Sequence, residues 1–288
     1  ASRCSTPTSA LAALAALAAV LSLLGIVGLA GIIGLLDAAP AHADGEVSWA
    51  VRTASNDFGA DRQNYSYTVD PGGHVQDALV VSNRGAEPLT LSVYAADGFT
   101  TEAGQLDLLT PGEASTGVGV WAHPSASAVT VPAGESVDVP FAVDVPANVT
   151  PGDYMGGLVT SLSQTGQGTQ FDVDRRLAIR IKLRVGGQLD PSLAIEDLRV
   201  EYSGSANPLG EGEATISYTI RNSGNAILTA RQTASVSGIF GRFRVQAEAI
   251  DDSPALLPGD TWTVSVRVPG VTPALRLAAT VTVTPLVT

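Results

Sequence analysis

Cysteine is absent after Cys4 in this chain of 288 residues. That excludes a disulfide framework, a thiol nucleophile and a thiolate metal site from the body of the protein. Histidine is reduced to His42, His74 and His123. Zinc sites take three or four clustered His, Cys or carboxylate ligands, so His123 with Asp97 or Glu102 is a weaker assignment than an ordinary loop histidine. Lysine occurs once, at Lys182, and the only methionine is Met155. Sixteen Lys and Arg stand against 28 Asp and Glu, a net charge of −12, which argues against nucleic acid as a partner. The G-x-S-x-G elbow of serine hydrolases is missing too. Paired carboxylates able to cleave a glycan cannot be read from spacing alone. The reading is therefore of a protein that is not an enzyme and uses no cofactor and no metal.

Long apolar runs are confined to the start. Ala10 to Leu36 is unbroken, and Asp37 and then Ala41-His42-Ala43 follow, an A-x-A cleavage pattern ahead of Asp44. Residues 1–43 thus read as a targeting segment. The run is also long enough to span a bilayer, so it is either cleaved or kept as an anchor. Both outcomes export the rest of the chain. Cys4 precedes the run and is not placed for lipidation. Fifteen arginines to one lysine, with abundant alanine, fit a bacterium of high GC content.

After residue 44 helical periodicity gives way to short alternating runs between Gly, Pro, Asn and Asp clusters, the pattern of an all-β sandwich. Val137, Val139, Phe141, Val143 and Val145 share one strand face. Pro151-Gly152 breaks that run, and Tyr154 opens the next strand where β-sandwiches place a tyrosine corner. Asn83-Arg84-Gly85-Ala86 is a hairpin-type turn between 77–82 and 89–94. Strands over 157–163 and 176–185 flank a loop around Gly166 and Gly168. Asn222-Ser223-Gly224-Asn225 echoes the first turn, and Leu257-Pro258-Gly259-Asp260 with Pro269 to Pro273 echoes 131–151. The expectation is two immunoglobulin-like sandwiches in tandem, 44–186 and 187–288, hinged at Val185-Gly186-Gly187-Gln188. Trp49 and Trp262 lie on alternating apolar faces and are read as core.

The first repeat is longer by an insertion, Ala95 to Ser127, and insertions on rigid sandwiches often carry function. Phe99 to Trp121 is accordingly a candidate contact surface. Trp121, with His123 and Pro124, offers an aromatic face for a sugar ring. The competing assignment is that Val118, Val120 and Trp121 tuck the insertion against the sandwich. Arg180, Lys182 and Arg184 share one face of a strand and suit an anionic wall polymer or acidic partner, though a solvated strand face gives the same pattern. Leu177 to Val185 also reads as an exposed edge able to pair with a client strand, as in an adhesin or a chaperone-like module. Gly156-Gly157 reads as a close approach of neighbouring backbone.

Several of these blocks together resemble the N-terminal domain of the WxL-interacting cell-surface proteins. They are Pro71-Gly72 before a strand ending Val80-Val81-Ser82-Asn83, the run Ala95 to Thr100 with Gly104, Val131-Pro132-Ala133-Gly134, and 151–157, PGDYMGG. The resemblance covers about residues 46–186 and implies an immunoglobulin-like domain that binds peptidoglycan or another cell-wall glycan. The second domain occupies the place of the family's partner- or host-binding domain, which implies a surface protein partner. Family members end in a transmembrane helix with a basic tail, whereas this sequence stops at Leu286-Val287-Thr288. A membrane tether is therefore expected through the N-terminal segment or through a helix beyond Thr288, with the protein at the cell surface or wall.

Overall fold

The computed structural model describes residues 47–165, 172–204, 210–273 and 276–287; the expected targeting segment 1–43 and the expected loop around Gly166 and Gly168 lie outside them. Nearly all the regular structure of the described chain is strand, arranged as two immunoglobulin-like sandwiches in tandem. The first holds β1 (Trp49–Thr53), β2 (Tyr65–Val69), β3 (His74–Asn83), β4 (Leu89–Thr100) and β5 (Leu106–Leu108). A single-turn helix, α1 (Val118–Trp121), precedes β6 (Ala122–Pro124), β7 (Ala128–Val131), β8 (Ser136–Asp144), β9 (Gly152–Thr165) and β10 (Asp172–Val185). One sheet runs β1-β3-β8-β6 and the other β2-β10-β9-β4-β5, with β7 also paired to β4. The second sandwich is smaller. It holds β11 (Leu193–Ser203), β12 (Gly212–Asn222), β13 (Leu228–Ser237), a 3-10 turn at Ile239–Gly241, β14 (Val245–Gln246), β15 (Thr261–Val271) and β16 (Ala278–Val287). Its sheets are β11-β12-β15 and β14-β13-β16.

Alternation sets the cores. Val139, Phe141 and Val143 of β8 pack inward against Tyr65, Leu79, Ile181 and Leu183, while Asp138, Pro140 and Asp144 face out. Trp49 is core, its Nε1 donating to Thr160 Oγ1 at 2.9 Å. Ile216, Tyr218, Ile220 and Val236 centre the second core. Trp262, by contrast, is only partly buried, at the margin of that core.

The sequence echo is physical. The buried Asn83 Nδ2 donates to Glu87 O and Val131 O at 2.7 and 3.0 Å, and its Oδ1 accepts from Gly85 N. Asn222 repeats all three bonds, to Ala226 O, Leu256 O and from Gly224 N. The main-chain N–H of Asn83 donates to Glu135 O, and that of Asn222 to Asp260 O, both at 2.9 Å. A buried amide with every hydrogen-bonding group matched stitches the same turn to the same loop in both halves.

Two expectations about pairing are corrected. The turns at Asn83 and Asn222 are not hairpins, because β3 and β4 lie in different sheets, as do β12 and β13. The stretch from Leu177 to Val185 is not an open edge: β9 pairs with it throughout, and β2 lies parallel along Ile181 to Val185 on the other side. A parallel neighbour supplied by a segment far upstream has no local mark in sequence.

Candidate functional site

The corner at Pro151 to Tyr154 is the joint between the sandwiches. Asp153, 6% exposed, accepts Arg184 Nε and Nη2 at 2.6 and 2.9 Å and the main-chain N–H of Ile227 at 2.9 Å. Its own N–H donates to Asn225 O at 2.7 Å, and Asn225 Nδ2 donates to Pro151 O and Gln188 O. Beside this clamp Met155, Ile227 and Leu257 bury one another, with Leu106 and Ala255 against them. Farther out, the Thr100 N–H donates to Asp260 Oδ2 at 2.8 Å. Cavities of about 340 and 380 Å³ flank the joint on its two sides. The Tyr154 hydroxyl donates to Thr150 O at 2.8 Å, the corner bond that its position predicts. A Cβ on Gly156 would stand 2.6 Å from Ala96 O and from Val118 Cβ, so this residue is bare because chain passes directly over it.

The insertion folds as two pieces. Residues 101–109 lie over the outer face of the larger sheet, with Leu108 buried on Ala96 and Val159. The turn α1 hangs on Asp97, whose Oδ2 accepts the N–H groups of Thr116 and Gly117 at 2.6 and 2.8 Å and whose Oδ1 accepts that of Gly119 at 2.7 Å. Trp121 is 7% exposed and meets Tyr154 edge-on at 4.7 Å. Its ring therefore fastens the insertion to the sandwich and leaves no open face for a sugar, correcting its place among the contact residues. Phe99 is half-buried on β4, opposite Asp107 of β5.

The two histidines of the body, far apart in sequence, meet at one carboxylate. His74 Nδ1 lies 2.7 Å from Asp144 Oδ1, and the exposed His123 places Nε2 at 3.9 Å from Asp144 Oδ2. Among the described residues His123 forms no ion pair with Asp97 or Glu102. Among the described residues no group of three or more His, Cys, Asp or Glu is arranged to hold a metal ion.

The basic strand face is only partly free. Ile179, Ile181, Leu183 and Val185 point into the core and Arg180, Lys182 and Arg184 point out, as alternation predicts. Arg184, however, is spent on Asp153, which holds its guanidinium pKa above the ordinary value through the hydrogen bond to that carboxylate. Arg180 and Arg176 instead border a groove of about 320 Å³ between β5 and β10, floored by Leu108, Val159 and Ala178. Arg180 Nη2 reaches Leu106 O at 3.4 Å. Lys182 is exposed at the cavity beside the joint.

Periodicity carries no mark of the residues that organise these surfaces. Asp77 is the plainest case. It accepts Arg62 Nη1 at 2.7 Å, Tyr67 Oη at 2.6 Å, Asn56 Nδ2 at 2.7 Å and the Ala78 N–H at 2.7 Å. Burial opposes its charge, but the bonds from Arg62 and Tyr67 outweigh burial and hold its pKa below the usual carboxylate value. Burial first, and then Asp77, pushes the Tyr67 hydroxyl well up.

The two sheets of the second sandwich end in four edge strands, three of them short or guarded. Its β11 is guarded by Glu196, Asp197, Arg199 and Glu201 and by a bulge between Glu196 and Arg199. β15 carries Arg267 and ends at Pro269-Gly270 beside a register shift, and β14 is two residues long. β16, AATVTVTPLV, has no charge and no bulge over ten residues. Its Ala279, Val281 and Val283 are only partly buried against the core.

Fold and surfaces together define a tandem immunoglobulin-like protein whose features are a joint, a groove and edges. No family model and no curated protein matches the chain. Among solved structures it is similar to a chain of a chaperone–tip adhesin complex of CFA/I fimbriae biogenesis, at 10% identity, with 75% of this chain and 87% of that one covered and a TM-score of 0.40. It is similar also to the class 5 fimbriae chaperone CfaA (11% identity, 75% and 84% covered, TM-score 0.38). A third likeness is to a chain of the CsuC–CsuE chaperone–tip adhesion subunit complex of Acinetobacter baumannii (12%, 75% and 89%, 0.37). At these values the likeness decides nothing about function, which rests on the surfaces themselves.

Proposed function

We propose that this chain is an exported, non-enzymatic interaction protein that binds an extended segment of a surface protein partner along β16. The carrying observation is the uncharged, unbulged edge of β16 over a half-covered core. An open edge offers a row of main-chain donors and acceptors, and an added strand completes the ladder and shields the apolar residues behind it. Pro285 lies near the end of the strand and is at home on an edge, leaving Ala278 to Thr284 for pairing.

A second reading, retention on wall peptidoglycan or another cell-wall glycan, is favoured by the groove with Arg176 and Arg180 over an apolar floor. One experiment separates the two. The full chain and its Thr282→Pro and Arg176→Glu/Arg180→Glu variants, each checked for β-sheet content by circular dichroism, are used to retain a surface protein from producing cells and to bind purified peptidoglycan. Strand addition predicts a retained protein that slows amide exchange over 278–284 and is lost only with Thr282→Pro. A retained protein that leaves those amides unprotected overturns it. Peptidoglycan binding lost only with the arginine pair establishes the second reading, and no binding to peptidoglycan rejects it.

A further inference from the structure

The connection after β13 carries a second unguarded feature, distinct from the β16 edge. Gly238 to Arg244 reads GIFGRFR. Its backbone is braced on itself: the Gly238 N–H donates to Arg242 O at 2.8 Å, the Gly241 N–H to Gly238 O at 3.1 Å and the Arg242 N–H to Ile239 O at 3.3 Å. Phe240 within that brace and Phe243 directly after it stand in the left-handed region, at φ 58° and 54°, where a Cβ is disfavoured. Most other positions of positive φ are glycine, as at Gly72, Gly134 and Gly259, and the two that are not, Asp61 and Asp197, carry aspartate, which tolerates that region better than an aromatic residue. Nothing inside the molecule repays the strain, because Phe240 is 96% exposed, Phe243 69% and Ile239 41%.

Single exposed apolar residues are ordinary, but three on one rigid tip form a patch. Arg242 and Arg244 share the tip and are exposed, and among the described residues neither forms an ion pair. In a chain of net charge −12 the tip is a basic island. Aromatic rings with arginines on a pre-shaped loop have the composition of an interface anchor.

We infer that this tip is a plug for a protein partner that presents an apolar socket rimmed by carboxylates. The rings fill the socket, and the two guanidiniums meet the rim as charge-assisted hydrogen bonds. Charge selects a socket over a lipid surface. A few carboxylates are met locally by the two arginines, whereas an extended anionic bilayer also repels the acidic remainder of the chain. The inference rests on the loop alone and does not require strand addition at β16.

The test places the photo-crosslinker benzoylphenylalanine at position 240 of the full chain in producing cells. The expected result is one dominant protein adduct, mapped to apolar residues flanked by Asp or Glu. It should weaken by about tenfold or more when Arg242→Glu and Arg244→Glu are added, as at an interface anchor, and likewise with Phe243→Ser. Because these side chains are exposed, the thermal melt of each variant should match that of the parent, which separates lost docking from lost folding. Adducts to lipid, with flotation on phosphatidylglycerol vesicles, overturn the inference. So do adducts to a second copy of the chain, a diffuse set of proteins, no adduct, or an adduct indifferent to charge reversal.

Discussion

The first sandwich surrounds its core with two broad sheets, a folded insertion and an N-terminal loop pinned by Arg62, while the second spans its own with three strands on each side. The consequence is visible residue by residue. Val81, Leu91, Ile181 and Leu183 of the first are sealed, whereas Ile195, Val200, Val281 and Val283 of the second remain partly open along β11 and β16. Both halves share the asparagine stitch, so the difference is not in the frame. It lies in what was added to the first: the insertion and the loop from Ala54 to Asn64. An immunoglobulin-like frame left at six strands has edges to complete and tips to dock, and the same frame wrapped on its outer face has fewer. The proposed strand addition and plug both fall on the second half, and the groove lies on the first.

The comparison breaks most sharply at Asp77. Asp77→Ala removes the centre of a buried network and leaves Arg62, 14% exposed, beside Tyr67 without its counter-charge. Breaking such a pair costs about 3–5 kcal/mol. The loss should fall on the first sandwich alone, read in calorimetry as one lowered transition with the other unchanged; an equal fall in both halves would count against separate cores. The pH dependence has the same sign. A carboxylate whose pKa is lowered on folding contributes stability above its unfolded pKa and loses it as pH falls through the lowered value. The wild-type transition of the first sandwich should therefore weaken on acidification below the ordinary carboxylate range, and the variant should not show that component.

Next in size is a matched pair, Asn83→Ala and Asn222→Ala. Each strands two carbonyls and one N–H at a buried turn, a loss of roughly 1–3 kcal/mol. Equal losses, each confined to its own half in denaturant titrations, would fix the two stitches as equivalents. A loss in one half only would make the echo a resemblance of sequence without shared energetics.

The echo of these turns was legible in the sequence because turn residues are local, but their geometry was not: β3 and β4 lie in different sheets, as do β12 and β13, so Asn-x-Gly here carries the chain between sheets and does not close a hairpin. Tyr154 and the glycine pair were legible for the same reason. Alternation in β10 marks a face and says nothing of neighbours; β2, from over a hundred residues upstream, covers Ile181 to Val185. The charged residues followed the same rule. Arg184 shares a face with Arg180 and Lys182, but its partner is fixed by the β9–β10 register, which pairs it with Asp153. Trp121 shows the limit in the other direction, since only the Asp97 turn decides that its ring points inward. The run GIFGRFR, by contrast, has no strand or helix period to mark it, and its left-handed backbone leaves no sign in the sequence.

The smallest effect sharpens the comparison most, because it concerns what joins the halves. Asp153→Asn keeps an acceptor for the Ile227 N–H but removes the charge that takes Arg184 at two points. Arg184 is 41% exposed, so solvent screens much of the pair and the loss should be about 1 kcal/mol or less. Neither core is touched, and a mutation that only loosens the joint should leave the stability of each sandwich in place while lowering the cooperativity between them. Calorimetry should then resolve two transitions farther apart than in the wild type, with the sum of their enthalpies nearly unchanged. If the transitions keep their spacing, the apolar contact of Met155, Ile227 and Leu257 carries the joint, and the Asp153 carboxylate sets its geometry without contributing measurably to its strength.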